Sequence, residues 1–446
     1  MKVSLTAKPT IRPALTASNP RTTSTCFRHV HVVSASLVAL CTLFVILPRF
    51  FLWRASDITD DEMLIATIKK EIDLKSRAGV DDDVYNNQEG DAPTASLDGV
   101  QPRAFSAWPR ELPLPCWDPW ENVEPNQQWF DRSVQKRPTR EGLLFLKLCK
   151  TASSTAASVH LRIARNLARR RRQQHTQLTD TTAATSNWPV CRSRFLHGWA
   201  GPKMYQFGQR NRMDSFLWTM LREPTQRYIS EFFHFQVTRR NTPVNQRSFQ
   251  YFLRKGPHAD HHTLSWLAVH GYQFQQSDPV DTANAILQDY DFIGLAERFN
   301  ESVVVLSMLL DIPLRDVLYL SSKQSGGYDG LCYKILPPRL TKPMQRHLQS
   351  PEWQAYVAPE VALWKAANAS LDLTIDRLGR TRVQEQVQLF QRVLTAAQET
   401  CGSITKFPCT PTGEPIPANE TDCLVVDMGC GLECIDRVAD EFNLPS

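Results

Sequence analysis

Residues Leu143 to Thr155 form an apolar run that stops at a lysine and gives way to small hydroxyl side chains: Leu-Leu-Phe-Leu-Lys-Leu-Cys-Lys-Thr-Ala-Ser-Ser-Thr. A run this short suits a strand buried on both faces of a sheet. Beyond Thr155 the spacing changes, and Ala156, Val159, Ile163, Ala164 and Leu167 recur with helical period. A strand, a hydroxyl-rich turn and a helix start make an anion site, because backbone N–H groups and the positive end of the helix dipole converge on the turn. Lys150 adds a full charge, and Ser153, Ser154 and Thr155 add donors. A competing reading is that these hydroxyls only cap the helix. A Walker-type loop is a further reading, disfavoured because the Gly-x4-Gly-Lys-Ser/Thr pattern is absent and Lys150 precedes the hydroxyl residues without its glycines.

Around this segment, residues 139 to 395 alternate strand-like and helix-like pieces, which predicts an α/β fold, a P-loop-like, mainly parallel sheet flanked by helices. Ser215 to Leu221 and Tyr290 to Ala296 read as further buried strands, and Val317 to Leu320 as a short fourth. Ser302 to Leu310 follows the third as an amphipathic stretch. The whole chain of 446 residues is 42% apolar and 22% charged, as in globular proteins, and its net charge of +5 is too mild for a domain-wide nucleic-acid footprint. No spacing of metal ligands stands out, and the isolated His261-His262 pair reads as a solvated loop.

The N-terminal third has another character. Residues 1 to 28 are basic, lack acidic residues and are rich in Ser, Thr and Pro, as a cytoplasmic tail is. Residues 29 to 53, almost wholly apolar from Val30 to Leu47, are long enough to span a bilayer. A cleaved signal peptide is the rival, but the run starts late and lacks a small-residue cleavage site. Basic residues before the span and Asp57, Asp60, Asp61 and Glu62 after it set the body of the chain in the lumen, although Arg49 and Arg54 weaken the asymmetry. The sequons at Asn300, Asn368 and Asn419 agree with that topology.

Residues 54 to 138 read as a stem, with a polar linker from Gly79 to Pro113. In the stem, Ile58, Ile65 and Ile72 give a homodimer only a short seam of fewer than three heptads. Asp81 to Asp83 reads as a solvated acidic run. At the other end, residues 396 to 446 hold Cys401, Cys409, Cys423, Cys430 and Cys434, a disulfide-stapled appendix in an oxidising lumen. Nine cysteines follow the span, so an odd thiol remains, and Cys149 is its candidate.

A second anion site follows the second strand, in Leu221-Arg-Glu-Pro-Thr-Gln-Arg-Tyr-Ile-Ser230. Pro224 opens a helix, and Arg222 leaves the carboxyl end of the strand, where open α/β sheets bind ligands. Its forked guanidinium suits phosphate. Two strand-end anion sites imply a ligand with phosphates at both ends.

These paired segments closely resemble the nucleotide motifs of Golgi carbohydrate sulfotransferases. Phe145 to Thr155, Asp291 to Val303 and the Gly429 to Cys434 tail look most like galactose-3-O-sulfotransferases. Arg227 and Tyr228 are closer to the heparan-sulfate and uronyl O-sulfotransferases. The resemblance covers roughly residues 139 to 330. It implies the sulfate donor PAPS (3′-phosphoadenosine 5′-phosphosulfate), with no metal required, a glycan acceptor and a type II Golgi membrane enzyme. By that resemblance Lys150, Thr151, Ala152, Ser153, Ser154 and Thr155 hold the 5′-phosphosulfate, Arg222 and Ser230 hold the 3′-phosphate, and Lys150 neutralises the charge of the leaving group. The Phe195-Leu-His-Gly-Trp199 context makes His197 the candidate general base, the alternative being an ordinary loop histidine.

Arg162, Arg165, Arg169 and Arg172 share a helical face that is expected either to hold an anionic glycan or to be solvated. Glu231 and His234, just past the second motif, are further acceptor-facing candidates. Trp199, Trp218 and Trp266 either stack on sugars or belong to the core. Two other readings stay open: a phosphoryl transferase, which would need a magnesium-binding carboxylate after a strand, and a non-catalytic glycan- or nucleotide-binding protein on the same fold.

Overall fold

A computed structural model describes residues 99–112, 114, 142–178, 193–197, 205–255, 262–270, 278–321, 323 and 325–445. All belong to one unit, Pro93–Ser446. The expected tail, membrane span and isoleucine seam lie outside the described residues. Among the described residues no helix is long and apolar enough to cross a membrane.

The first strand, β1 (Gly142–Lys147), is buried at every position. It feeds helix α1 (Ser153–Leu178). Strands β2 (Ser193–His197) and β3 (Ser215–Leu221) follow, then α2 (Pro224–Glu231) and a π-helix (Phe232–Thr238). Next come α3 (Gln246–Lys255), α4 (Pro279–Asp289), β4 (Phe292–Leu295) and α5 (Phe299–Leu309). Two long helices, α6 (Pro351–Leu378) and α7 (Arg380–Gly402), precede the last, α8 (Leu432–Glu441). The four strands are parallel in the order β2-β1-β3-β4. An α/β architecture is thus present, and the solid apolar runs of β1, β3 and β4 are what a parallel sheet covered on both faces demands.

The helix boundaries follow their caps. Pro224, Pro279 and Pro351 each open a helix, behind Glu223, Asp278 and Ser350, whose side chains accept backbone N–H bonds. Gly379, at φ +91°, separates α6 from α7 in a conformation that an L side chain resists.

Several expectations are corrected. Val317 to Leu320 is not a strand: Leu314–Val317 is a 3-10 turn, and the residues after it fill the core without sheet pairing. The fourth strand is β2, on a segment to which the sequence assigns no strand and which ends at His197. The linker expected up to Pro113 ends earlier. Phe105 is fully buried against Phe292, and Arg103 donates to the carbonyls of Leu287 and Tyr290 at 2.7 Å each, so residues 99–112 are part of the folded body. Trp218 is core, its Nε1 donating to buried His160. Trp266 packs against the core as well.

The cysteine-rich end is not an appendix. Cys332–Cys409 ties it to the body, while Cys401–Cys434 and Cys423–Cys430 close it internally. Ile435, Val438 and Ala439 of α8 join the main core. Its outer face meets α1: Asp436 accepts from fully buried Arg162 at 2.6 Å, from Arg165 at 2.9 Å and from Arg169 at 3.1 Å. Arg162 also donates to the carbonyls of Arg315 and Leu432. Arg162 and Arg165 are therefore buried under α8 and closed to a glycan, while Arg169 pairs with Asp436 from a half-exposed position.

Candidate functional site

Neighbouring strands β1 and β3 lead away in opposite directions across the sheet, since β2 lies beyond β1 and β4 beyond β3. Such a switch point opens a crevice outside the carboxyl ends of the strands. Here it is a cleft of about 480 Å³, lined from the β1 side by Lys147, Lys150, Ala152 and Ser153 to Thr155. From the β3 side come Arg222, Gln226, Ser230, His234, Phe235 and Arg239, from the end of β4 Ala296 and Glu297, and from a loop near the core Lys323.

The loop after β1 carries two non-glycine residues at positive φ, Lys150 at 63° and Ala152 at 57°. Thr151 between them is fully buried, and its hydroxyl donates to the Leu148 carbonyl at 3.0 Å. That bond closes the turn, so the Thr151 side chain serves the loop and does not line the cleft. Left-handed residues in a turn ahead of a helix turn successive N–H groups toward one point, which is how backbone nests bind anions. The Arg222 guanidinium leans across to the same loop and donates to the Lys150 carbonyl at 3.4 Å.

Cations dominate the lining. Lys147 and Lys150 are both pushed down to about 8, first by burial and then by the nearby Lys323. Burial also lowers Arg222. Grouping like charges costs free energy in the empty cleft, a cost that a polyanion offsets. Cys149 lies beside them as a buried free thiol, raised by burial and then by Glu231, and is inert as a nucleophile in that state.

The motif after β3 divides into two sets. Arg222 and Ser230 reach the cleft, but Arg227 does not: it is buried between Glu231 at 2.9 Å and Glu360 at 3.1 Å. Glu231 therefore faces the interior, not an acceptor, and its carboxyl is pushed up to about 7 by burial, with Glu360 working in the same direction against Arg227. Arg162 and Arg165 are likewise removed from the acceptor candidates, because Asp436 holds them under α8. His234 keeps its place in the cleft. His197 ends β2 opposite Lys147 in the parallel register, at the same carboxyl edge of the sheet.

Arg239, Lys323 and Phe235 have no sequence signal of their own. Arg239 and Phe235 depend on the π-helix, whose wider turn re-aims side chains and recurs at functional sites. Lys323 arrives on a loop far from either motif.

The sequons also separate. Asn300 accepts from the Tyr319 hydroxyl at 2.7 Å and Asn368 from Arg298 at 2.9 Å, whereas Asn419 is exposed on a 3-10 turn. Expressed through a secretory pathway, the chain is expected to carry glycan at Asn419 before the other two. A glycosidase mobility shift that persists in Asn419→Gln would contradict this.

No family model, curated protein or solved structure matches the chain.

Proposed function

We propose that this protein is a PAPS-dependent carbohydrate O-sulfotransferase, a single-pass type II Golgi membrane protein with a lumenal catalytic body. The reading is carried by one observation: the loops leaving β1 and β3 bring Lys150 and Arg222 to the two sides of one cation-lined cleft at the switch point of the sheet. The donor set fits a nucleotide with a phosphate at each end. Lys150 and the hydroxyls of Ser153 to Thr155 suit one anionic group, and Arg222 with Ser230 suits the other.

PAPS supplies a sulfuryl group on a phosphate leaving group, and the acceptor is a hydroxyl of a glycoprotein, glycolipid or glycosaminoglycan. Lys150 then stabilises the charge that develops on the departing phosphate oxygen, and a histidine of the carboxyl edge takes the acceptor's proton, His197 being the candidate drawn from the sequence.

The test uses radiolabelled PAPS with a panel of acceptors: a lactose-terminated glycan, a galactolipid and a desulfated heparan chain. Label should pass to at least one. Arg222→Ala should weaken binding of adenosine 3′,5′-bisphosphate by about 2 kcal/mol, roughly 30-fold, the loss of a charge-assisted hydrogen bond. A wild-type protein that neither binds the bisphosphate nor transfers label would sink the proposal.

A further inference from the structure

His234 sits on the π-helix with 6% of its surface exposed, yet it lines the cleft. Its Nδ1 is buried and has no hydrogen-bond partner among the described residues. Its Nε2 stands 3.7 Å from the Asp329 carboxylate, beyond hydrogen-bond length. A buried polar ring left without a hydrogen bond is destabilising, and a fold keeps such a group where a ligand or a reaction uses it.

Asp329 itself is fixed. It is fully buried, and it accepts from Arg239 at 2.7 Å and from the backbone N–H groups of Leu331 and Tyr333 at 2.9 and 3.0 Å. Burial works to raise its carboxyl, but these bonds together hold it below its ordinary value, so it remains an anion.

Around the imidazole the charges are mixed. Burial first, then Lys150 and Arg239, push His234 down to about 3, with Lys323 acting in the same sense and Asp329 opposing. The ring is therefore neutral and, with the cleft unfilled, a weak base. An anionic ligand in the cleft offsets the lysines and makes the ring a stronger base when the site is filled.

Resting on the sulfotransferase reading, we infer that His234 is a catalytic residue, the base that takes the proton from the attacking glycan hydroxyl, with Asp329 stabilising the imidazolium. The hydroxyl oxygen forms its bond to sulfur as the bond from sulfur to the phosphate oxygen breaks. That electron pair leaves on the phosphate beside Lys150, and the hydroxyl proton moves to the ring. This assignment replaces His197 in the role.

The experiment compares wild type, His234→Ala and His197→Ala as full chains, using the best acceptor of the panel above. Each is assayed for kcat, for binding of adenosine 3′,5′-bisphosphate and for rescue by added imidazole. His234→Ala should lose about 10²–10³-fold in kcat, the usual worth of a positioned base. It should bind the bisphosphate within about threefold of wild type, as a base that does not hold the donor allows. Imidazole should restore part of its rate. The inference is overturned if His234→Ala keeps nearly full kcat, if its bisphosphate binding falls together with its rate, or if imidazole rescues His197→Ala instead. Wild-type transfer with an unimpaired His234→Ala removes this inference alone. A wild type that neither transfers label nor binds the bisphosphate removes the parent reading and this one together.

Discussion

Lys150→Ala is expected to lower sulfate transfer by about 10²–10³-fold, the cost of removing one preorganised charge from a developing anion. Folding should not suffer. Lys150 shares the cleft with Lys147 and Lys323, and burial together with that crowding depresses both Lys147 and Lys150 to about 8. Deleting one member of a mutually repelling set relieves the empty protein, so its melting temperature should hold or rise, the pattern expected where function is maintained against stability.

The same lysines set a pH dependence for ligand binding. An anion prefers the protonated amines, and its presence raises their pKa, so binding takes up protons. Affinity for adenosine 3′,5′-bisphosphate should therefore fall as pH rises above about 8, and the fall should be shallower in Lys150→Ala. Calorimetric titrations at about pH 7 and about pH 9 measure this difference. Equal affinities at both would contradict the account, as would full label transfer by Lys150→Ala.

Asp436→Ala should be strongly destabilising, although it lies away from the cleft. It removes the carboxylate shared by Arg162, Arg165 and Arg169, of which Arg162 is fully buried. Leaving a buried guanidinium without its counter-charge costs about 3–5 kcal/mol. For a body of this size that lowers the melting temperature by roughly 4–7 °C. Asp440 supplies the contrast on the same helix: its carboxylate pairs with Arg315 at 2.8 Å but is 63% exposed, and Asp440→Ala should cost less than about 1 kcal/mol. Denaturant titration of the two variants separates the cases, and equal midpoints would refute the argument.

The sign of the acid dependence follows from the same contact. Burial would raise Asp436, but Arg162 and Arg165 outweigh it and hold the carboxyl below its ordinary value. Its stabilising contribution is therefore present above about pH 4 and is lost as pH falls through the depressed folded value. Asp436→Ala should lack that part of the acid transition.

Where the sequence was informative, composition and position coincided. The solid apolar runs of β1 and β3 suit covered strands, and most of the polar residues that leave their ends face the crevice. β2 was hidden because Ser-Arg-Phe-Leu-His has only two apolar residues, as an edge strand allows. Val317 to Leu320 misled in the other direction, since burial alone does not distinguish a strand from a core-filling extended segment. The arginines of α1 resembled a surface run because their partner, Asp436, lies 274 residues beyond Arg162. Arg239 and Lys323 were illegible for a related reason: the π-helix and a distant loop bring them to the cleft, and neither leaves a periodic trace.

The clasp between α1 and α8 also bears on how the chain is made. During synthesis, β1 and α1 emerge long before Asp436, so Arg162 lacks the carboxylate it pairs with until α8 has left the ribosome. Burial of the polar face of α1 therefore waits for α8, whatever the earlier segments have formed. The clasp thus makes completion of the core around α1 depend on a helix far along the chain.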